Sequence, residues 1–270
     1  MNLFDITGKV IVITGGGGAL GGGIAKSLLQ AGARVVILSR RQSTVDNALA
    51  EMSSFGEHVL GIACDVLDES SLKNARDQVK AKWEKIDVLI NAAGGNMPGA
   101  TIGLDQTIFD LKLDDFRAVT DLNLTGTVLP SMVFGKEMAD SGKGVIINFS
   151  SMAAQQAITR VVGYSAAKAS IDNFTKWMAV EMATKFGEGI RVNAVAPGFF
   201  IGEQNRRLLT NEDGTLTDRG KTIIANTPMK RFGEAEELCG TVHWLCSEAS
   251  KFVTGIVVPV DGGFSAFSGV

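Results

Sequence analysis

Histidine and cysteine are scarce in this chain: two of the first and three of the second in 270 residues. His58 and His243 lie far apart, and no His/Cys/Asp spacing suits a zinc site, so no metal is expected. Cys64, Cys239 and Cys246 are odd in number and form no CxxC pair. They read as reduced, small, mostly buried hydrophobes of a cytoplasmic protein, which excludes a disulfide scaffold. No stretch approaches the run of roughly 18 apolar residues that a membrane helix needs. The segment from Met1 to Lys9 carries Asp5 and no apolar centre, so it does not read as a signal peptide. An excess of positive charge is missing too: 26 Lys and Arg stand against 29 Asp and Glu. The cations are scattered, which excludes a nucleic-acid footprint and a basic membrane patch.

What is present is a globular composition, 45% hydrophobic and 20% charged, with 32 glycines. Short apolar runs recur at Val10–Ile13, Val35–Leu38, His58–Ala63, Val88–Ile90, Val145–Phe149, Arg191–Val195 and Ile256–Val258. Helical patterns lie between them, at Ile24–Ala31, Ser70–Trp83, Phe116–Ala139, Gly163–Phe186 and Glu234–Ser247. Strand, helix, strand, repeated, predicts right-handed crossovers and a parallel sheet covered on both faces. The expected fold is α/β, a Rossmann-type doubly wound parallel sheet of about seven strands. No linker interrupts the pattern, so residues 1–270 are expected to form one catalytic domain. Two long segments, 95–113 and 199–231, break the alternation after the fourth and sixth strands. Ligands of open α/β sheets bind beyond the carboxyl ends of strands, so both segments are expected to cover a substrate.

The first strand runs into Thr14-Gly15-Gly16-Gly17-Gly18-Ala19-Leu20-Gly21-Gly22-Gly23. A strand, a glycine-rich turn and a helix start form a phosphate-binding device, because the backbone approaches a pyrophosphate closely and the helix N-terminus offers free N–H groups. Gly15, Gly17, Gly18, Ala19, Leu20 and Gly21 are the candidate contacts. Gly22 and Gly23 suggest a further close approach, since glycine in a helix costs roughly 1 kcal/mol against alanine. The second strand ends in Ser39-Arg40-Arg41, where an enzyme selective for NAD usually places an acidic residue. Ser39 would not repel a 2′-phosphate and Arg40 would pair with one, so the expectation leans to NADP. Arg40 stacked on adenine, or solvated, stays open. Asp65, with Val66 beside it, is placed to bond the adenine amino group or to cap the next helix. Asn91-Ala92-Ala93-Gly94 provides small residues where a flat cofactor passes, or else a tight turn.

The fifth strand ends in Asn148-Phe149-Ser150-Ser151, and thirteen residues after Ser151 comes Tyr164, the only tyrosine in the sequence. Lys168 follows at i+4, on the same helix face. An ammonium one turn away is expected to stabilise the phenolate and to lower a pKa that is ordinarily near 10. That suits a general acid/base, with the Ser151 hydroxyl holding the substrate oxygen. Asn123 falls inside a predicted helix, where asparagine is a poor former. It reads either as part of a proton path to Lys168 or as incidental.

Thr14-Gly15-x-x-x-Ala19-x-Gly21, Asn91-Ala92-Ala93-Gly94, Asn123, Ser151, Tyr164-x-x-x-Lys168, Asn193 and Pro197-Gly198 together resemble the short-chain dehydrogenase/reductase family. The resemblance runs from Gly8-Lys9-Val10 to Val260-Asp261-Gly262-Gly263, with Ala19 standing where the family usually has glycine. It implies an NAD(P)-dependent oxidoreductase with Tyr164 as acid/base. Lys168 would lower the tyrosine pKa and hold the nicotinamide ribose, Ser151 would bind the substrate oxygen, and Asn123 would serve a proton relay. Pro197 and Gly198 would flank the nicotinamide. A homotetramer is implied, with the helices containing Phe116–Ala139 and Gly163–Phe186 at one interface.

Within the family, three stretches are similar to its D-mannonate oxidoreductases, also called fructuronate reductases. They are Gly94 to Thr101, Pro197-Gly198-Phe199-Phe200 with Gln204-Asn205-Arg206, and Asn211 to Leu216. A sugar acid as small-molecule partner follows. Gluconate 5-dehydrogenases, other polyol dehydrogenases and 3-oxoacyl thioester reductases remain alternatives. An aldonate needs a cation for its carboxylate, for which Arg160 and Arg206 or Arg207 are candidates. Asn96 and Gln155 are candidates for its hydroxyls. The usual NAD use of fructuronate reductases stands against the reading of Arg40.

Overall fold

The computed structural model describes residues 2–202, 206 and 208–269. Seven strands form one parallel sheet: β1 (Val10–Thr14), β2 (Arg34–Ser39), β3 (Val59–Ala63), β4 (Val88–Asn91), β5 (Gly144–Phe149), β6 (Ile190–Pro197) and β7 (Val257–Val260). Their spatial order is β3-β2-β1-β4-β5-β6-β7. Every predicted strand is present within two residues of its expected ends. The order reverses between β1 and β4, in register as Val12 beside Val36 on one side and Leu89 on the other. A reversal of this kind opens a crevice at the carboxyl ends of the strands.

The sheet is covered by α1 (Ala19–Gln30), α2 (Gln42–Glu51), α3 (Glu69–Trp83), α4 (Leu113–Thr120), α5 (Gly126–Ser141), α6 (Val162–Phe186), α7 (Asp218–Ala225) and α8 (Glu236–Cys246). Strand side chains alternate between faces. Ile11 and Ile13 of β1 therefore pack with Ile24 and Leu28 of α1 and with Leu238 and Val242 of α8. Val10 and Val12 pack on the other face with Leu72 and Val79 of α3 and Phe134 of α5. Both faces are buried, which is why the strands read as continuous apolar runs. The three thiols are free, and burial pushes that of Cys246 up to about 12. No described helix is long and apolar enough to cross a membrane.

Three features differ from expectation. α1 begins at Ala19, so Gly21, Gly22 and Gly23 all lie inside it. The long helix predicted over Phe116–Ala139 is two helices, joined by one π-helical turn at Asp121–Thr125. Helices α2 and α7 escape prediction because their apolar stripes are thin: α2 buries only Val45 and Ala48, and α7 only Gly220 and Ile223.

Candidate active site

The glycine turn is held from three sides. Gly15 has φ +68°, and a Cβ there would stand 2.8 Å from Ala93 Cα and 2.9 Å from Ala92 O at the end of β4. A Cβ on Gly21 would meet Gly15 O at 2.4 Å. The first turn of α1 thus packs on the turn that feeds it. Gly22 has no such contact and Gly23 only Ala235 Cβ at 3.3 Å, so the close approach belongs to Gly21. No side chain caps α1 at Gly18, which leaves N–H groups of its first turn for an anion.

Gly15, Gly18, Ala19, Leu20 and Gly21 line a cleft. Ser39, Arg40, Asp65 and Val66 form its second wall, and Ala92 and Gly94 lead onward. The cleft continues past Tyr164, Lys168, Pro197 and Gly198. A turn closed to a Cβ at Gly15 and Gly21, an uncapped helix start and a long groove across the switch point fit a dinucleotide. Asp65 accepts from Leu67 N, while the cap of α3 is Asp68, which accepts from Ser70 N and Ser71 N. The helix-cap reading of Asp65 therefore falls.

At two predicted contacts the polar groups are engaged within the fold. Gly17 is no part of the cleft lining; its N–H donates to Ser39 Oγ at 3.1 Å, tying the turn to β2. Asn91 is buried inside the sheet, where its Nδ2 donates to Ser131 Oγ and to Asn148 Oδ1, both at 2.9 Å. Its local sequence resembles a cofactor strand end, but β-strand alternation turns this side chain toward α5. Asn193 also works within the fold, donating to Val253 O and accepting from Ile256 N.

Further along the cleft, Ser151 leaves β5 in extended conformation, and its hydroxyl accepts from Ala153 N. Tyr164 stands on the first turn of α6 and Lys168 on the next. Lys168 Nζ donates to Phe149 O at 2.6 Å and lies 5.6 Å from the Tyr164 ring centroid. Burial draws the ammonium down from its ordinary value to about 8, against the opposing charge of Asp172 one turn further on. Burial also pushes the Tyr164 phenol up, and the Ser151 hydroxyl pulls it part of the way back. This differs from the lowered phenol expected of a Tyr–Lys pair. Desolvation of the phenolate is the largest cause, and the neighbouring ammonium gives its hydrogen bond to a carbonyl.

Asn123 is fully buried in the π-helical turn. Its Oδ1 accepts from Gly95 N at 3.0 Å, and its Nδ2 donates to Gly95 O at 2.9 Å and Val119 O at 2.8 Å. A Cβ on Gly94 would meet Asn123 Oδ1 at 2.6 Å and Lys168 Nζ at 3.5 Å. The asparagine therefore pins the loop beside Lys168, and the irregular helix is what aims it there.

A second pocket opens beside Tyr164 and Ser151. Asn96 of the first long segment and Phe199, Leu208, Leu209 and Arg219 of the second supply its walls. Asn96 Nδ2 donates to Thr101 Oγ1 at 2.5 Å. Arg160 holds φ +75° and donates from Nε to Ile102 O at 2.6 Å. Gln155 and Arg206 are exposed and line neither this pocket nor the cleft. Gln204, Asn205 and Arg207 lie outside the described residues. Sequence reasoning missed Asp172 and Arg219. The first continues the i, i+4 spacing of Tyr164 and Lys168 and was available as a signal; the second carries none.

A family model described as enoyl-(acyl carrier protein) reductase matches residues 17–265. The protein is 47% identical to the uncharacterized oxidoreductase UxuB of Bacillus subtilis, over 98% of each sequence. It belongs to the short-chain dehydrogenase/reductase family. It is an NAD(P)-dependent oxidoreductase of that family, and solved structures like it agree. A Haemophilus protein assigned as a D-mannonate oxidoreductase, with NAD bound, superposes with a TM-score of 0.91 at 42% identity, over 98% of both molecules. A gluconate 5-dehydrogenase from Burkholderia cenocepacia, with NADP and tartrate, gives 0.86 at 30% identity, over 98% of both.

Proposed function

We propose that this short-chain dehydrogenase/reductase interconverts a secondary alcohol and a ketone on a sugar acid, with D-mannonate and D-fructuronate as the pair. The observation that carries the reaction type is the meeting of Ser151, Tyr164 and Lys168 on one wall of the cleft. Resemblance to the Haemophilus D-mannonate oxidoreductase along the whole sequence supports the substrate. Gluconate oxidation is the second reading, favoured by the Burkholderia likeness.

The cofactor's phosphates would lie on the N–H groups at Gly18 to Gly21, and its nicotinamide end between Gly94, Lys168 and Pro197-Gly198. When bound, the nicotinamide gives or takes the hydride. In reduction the Tyr164 phenol, protonated at neutral pH by its burial, donates its proton to the ketone oxygen. Ser151 Oγ donates a second hydrogen bond to that oxygen and fixes its position. Lys168 supplies positive charge behind the phenol, and Asn123 holds the Gly94-Gly95 loop that confines both. In oxidation the same phenolate, once formed, takes the alcohol proton. Asn96 of the first long segment and Phe199, Leu208, Leu209 and Arg219 of the second wall the pocket and would limit water at the reacting carbon.

For the cofactor our reading is NADP. Arg40 and Arg41 are exposed on the cleft wall just past β2, whose last residue is Ser39, and the carboxylate lining that wall, Asp65, comes from past the end of β3. Arg40→Ala is expected to raise the KM for NADPH about tenfold, the loss of one charge-assisted bond of about 1.4 kcal/mol, and to leave that for NADH within about twofold. Equal effects on both would remove Arg40 from the 2′-phosphate. The test of the substrate is absorbance at 340 nm with D-fructuronate, and with 5-ketogluconate and a 3-oxoacyl thioester in parallel. Consumption of NAD(P)H with the thioester alone would end the sugar-acid reading.

A homotetramer belongs to the same reading. Met132 on α5 and Trp177 and Val180 on α6 are exposed apolar residues on the helices expected at one interface. Light scattering should give four times the mass of the monomer.

A further inference from the structure

The pocket beside Tyr164 holds Arg219 as its only charged side chain among the described residues that line it. Arg219 is half-buried at the start of α7 and makes no ion pair among the described residues there. The acid next to it in sequence, Asp218, is fully exposed and pairs with Lys221 at 3.2 Å. Asp213, on the preceding turn, accepts from Thr215 N at 2.9 Å and Thr215 Oγ1 at 2.6 Å. The acids of this segment that are near in sequence are thus directed elsewhere.

The one charge among the described residues that acts on Arg219 is a like one. Arg160 and Arg219 repel each other, and burial with this repulsion draws the Arg219 guanidinium down from its ordinary value. Arg160 is fixed from below. Its Nε bonds Ile102 O, Ile102 N donates back to Arg160 O at 3.0 Å, and its backbone takes a left-handed conformation that a long side chain rarely adopts. A cation without an anion is unfavourable in a partly desolvated pocket, and the positive charge of Arg160 outside the lining adds to that. Backbone strain persisting at Arg160 marks a place where the surroundings enforce a geometry. An anion entering beside Arg219 would offset the repulsion and gain charge-assisted bonds from a planar donor suited to carboxylate.

We propose that Arg219 binds the carboxylate of the substrate and so makes the enzyme selective for acids over neutral polyols, with Arg160 adding positive charge from outside the pocket lining. The proposal rests on the sugar-acid reading above and assigns its charge recognition to the second long segment. The carboxylate sits at the Arg219 end of the pocket and the reacting carbon at Tyr164. The carbon skeleton between them lies along Phe199, Leu208 and Leu209, and Asn96 is left for hydroxyls on the opposite wall. The reacting carbon is accordingly distant from the carboxylate along the skeleton and not adjacent to it.

The test uses the intact enzyme with NADPH or NADH bound, and compares D-gluconate with D-glucitol, its neutral counterpart of equal length, as competitive ligands by calorimetry. Wild type should bind gluconate at least tenfold more tightly. Arg219→Gln should remove that preference, Arg219→Lys should keep part of it, and Arg160→Gln should weaken it severalfold. With D-fructuronate as substrate, Arg219→Gln should raise KM by about 10- to 100-fold and leave kcat within a few-fold. Equal binding of the two ligands by wild type, or an unchanged preference in a folded Arg219→Gln, overturns the proposal even if fructuronate is reduced. Absence of turnover with every sugar acid, with the gluconate preference intact and dependent on Arg219, would instead overturn the substrate pair and retain the carboxylate site.

Discussion

Tyr164→Phe is expected to lower turnover by about 10²- to 10⁴-fold while leaving cofactor affinity within about threefold. The phenylalanine keeps the ring against Lys168 and the pocket wall but has no proton to give. Ser151 still holds the substrate oxygen, so residual activity comes from positioning alone. The burial that pushes the phenol up sets the pH behaviour. Reduction needs the protonated phenol and should stay level through neutral pH, falling only as the phenol ionises. Oxidation needs the phenolate and should climb with pH over the same range. Tyr164 is the only tyrosine, so absorbance at 295 nm reads its ionisation directly, with the Phe variant as the blank. A midpoint above 10 is expected in the cofactor-free enzyme. A midpoint well below 10 would mean that the neighbouring ammonium outweighs burial, and a Phe variant with near-normal turnover would remove Tyr164 as the proton donor.

The strands and the glycine turn were legible because each depends on local pattern: β-branched runs for strands buried on both faces, and glycine where a Cβ would strike Ala93 or Gly15 O. Tyr164, Lys168 and Ser151 were legible for the same reason, since spacing along one helix and one strand end places them. The π-helical turn at Asp121–Thr125 was not, because the bond it allows Asn123 to make is to Gly95, 28 residues away. The direction of the Asn91 side chain was not legible either. Its neighbours match a cofactor strand end, while the partners of its own side chain, Ser131 and Asn148, lie on other elements. The direction of the Tyr164 shift was misjudged because charge spacing can be read from sequence and desolvation cannot. Arg219 lay hidden because a pocket cation is defined by the walls around it, here from four separate stretches of the sequence.

Lys168→Met should abolish most activity, by about 10²-fold or more, and at the same time stabilise the fold. Holding the ammonium at about 8 where it is ordinarily 10.5 disfavours the folded state by about 3 kcal/mol at neutral pH, at about 1.4 kcal/mol per pKa unit. The side chain is only 4% exposed, so solvent screening reduces this little. Methionine fills the space without a charge but leaves Phe149 O without its donor, a loss of about 1–2 kcal/mol. The net gain is about 1–2 kcal/mol, or a Tm higher by about 2–5 °C for a protein of this size. The sign can be checked by pH. Between about 8 and 10.5 the folded state has released the Lys168 proton and the unfolded state still binds it, so wild-type stability rises with pH relative to the variant. The advantage of Lys168→Met should therefore be full below pH 8, vanish near pH 9 and be reversed by about pH 10.5, where only the lost bond to Phe149 O remains, in paired urea or thermal denaturations. A variant less stable than wild type at pH 7 would mean that the bond to Phe149 O outweighs the buried charge. An advantage independent of pH would mean that the stability change has some other origin than this proton. If instead both expectations hold, the ammonium that backs Tyr164 is kept at a cost in stability, as expected of a group retained for chemistry.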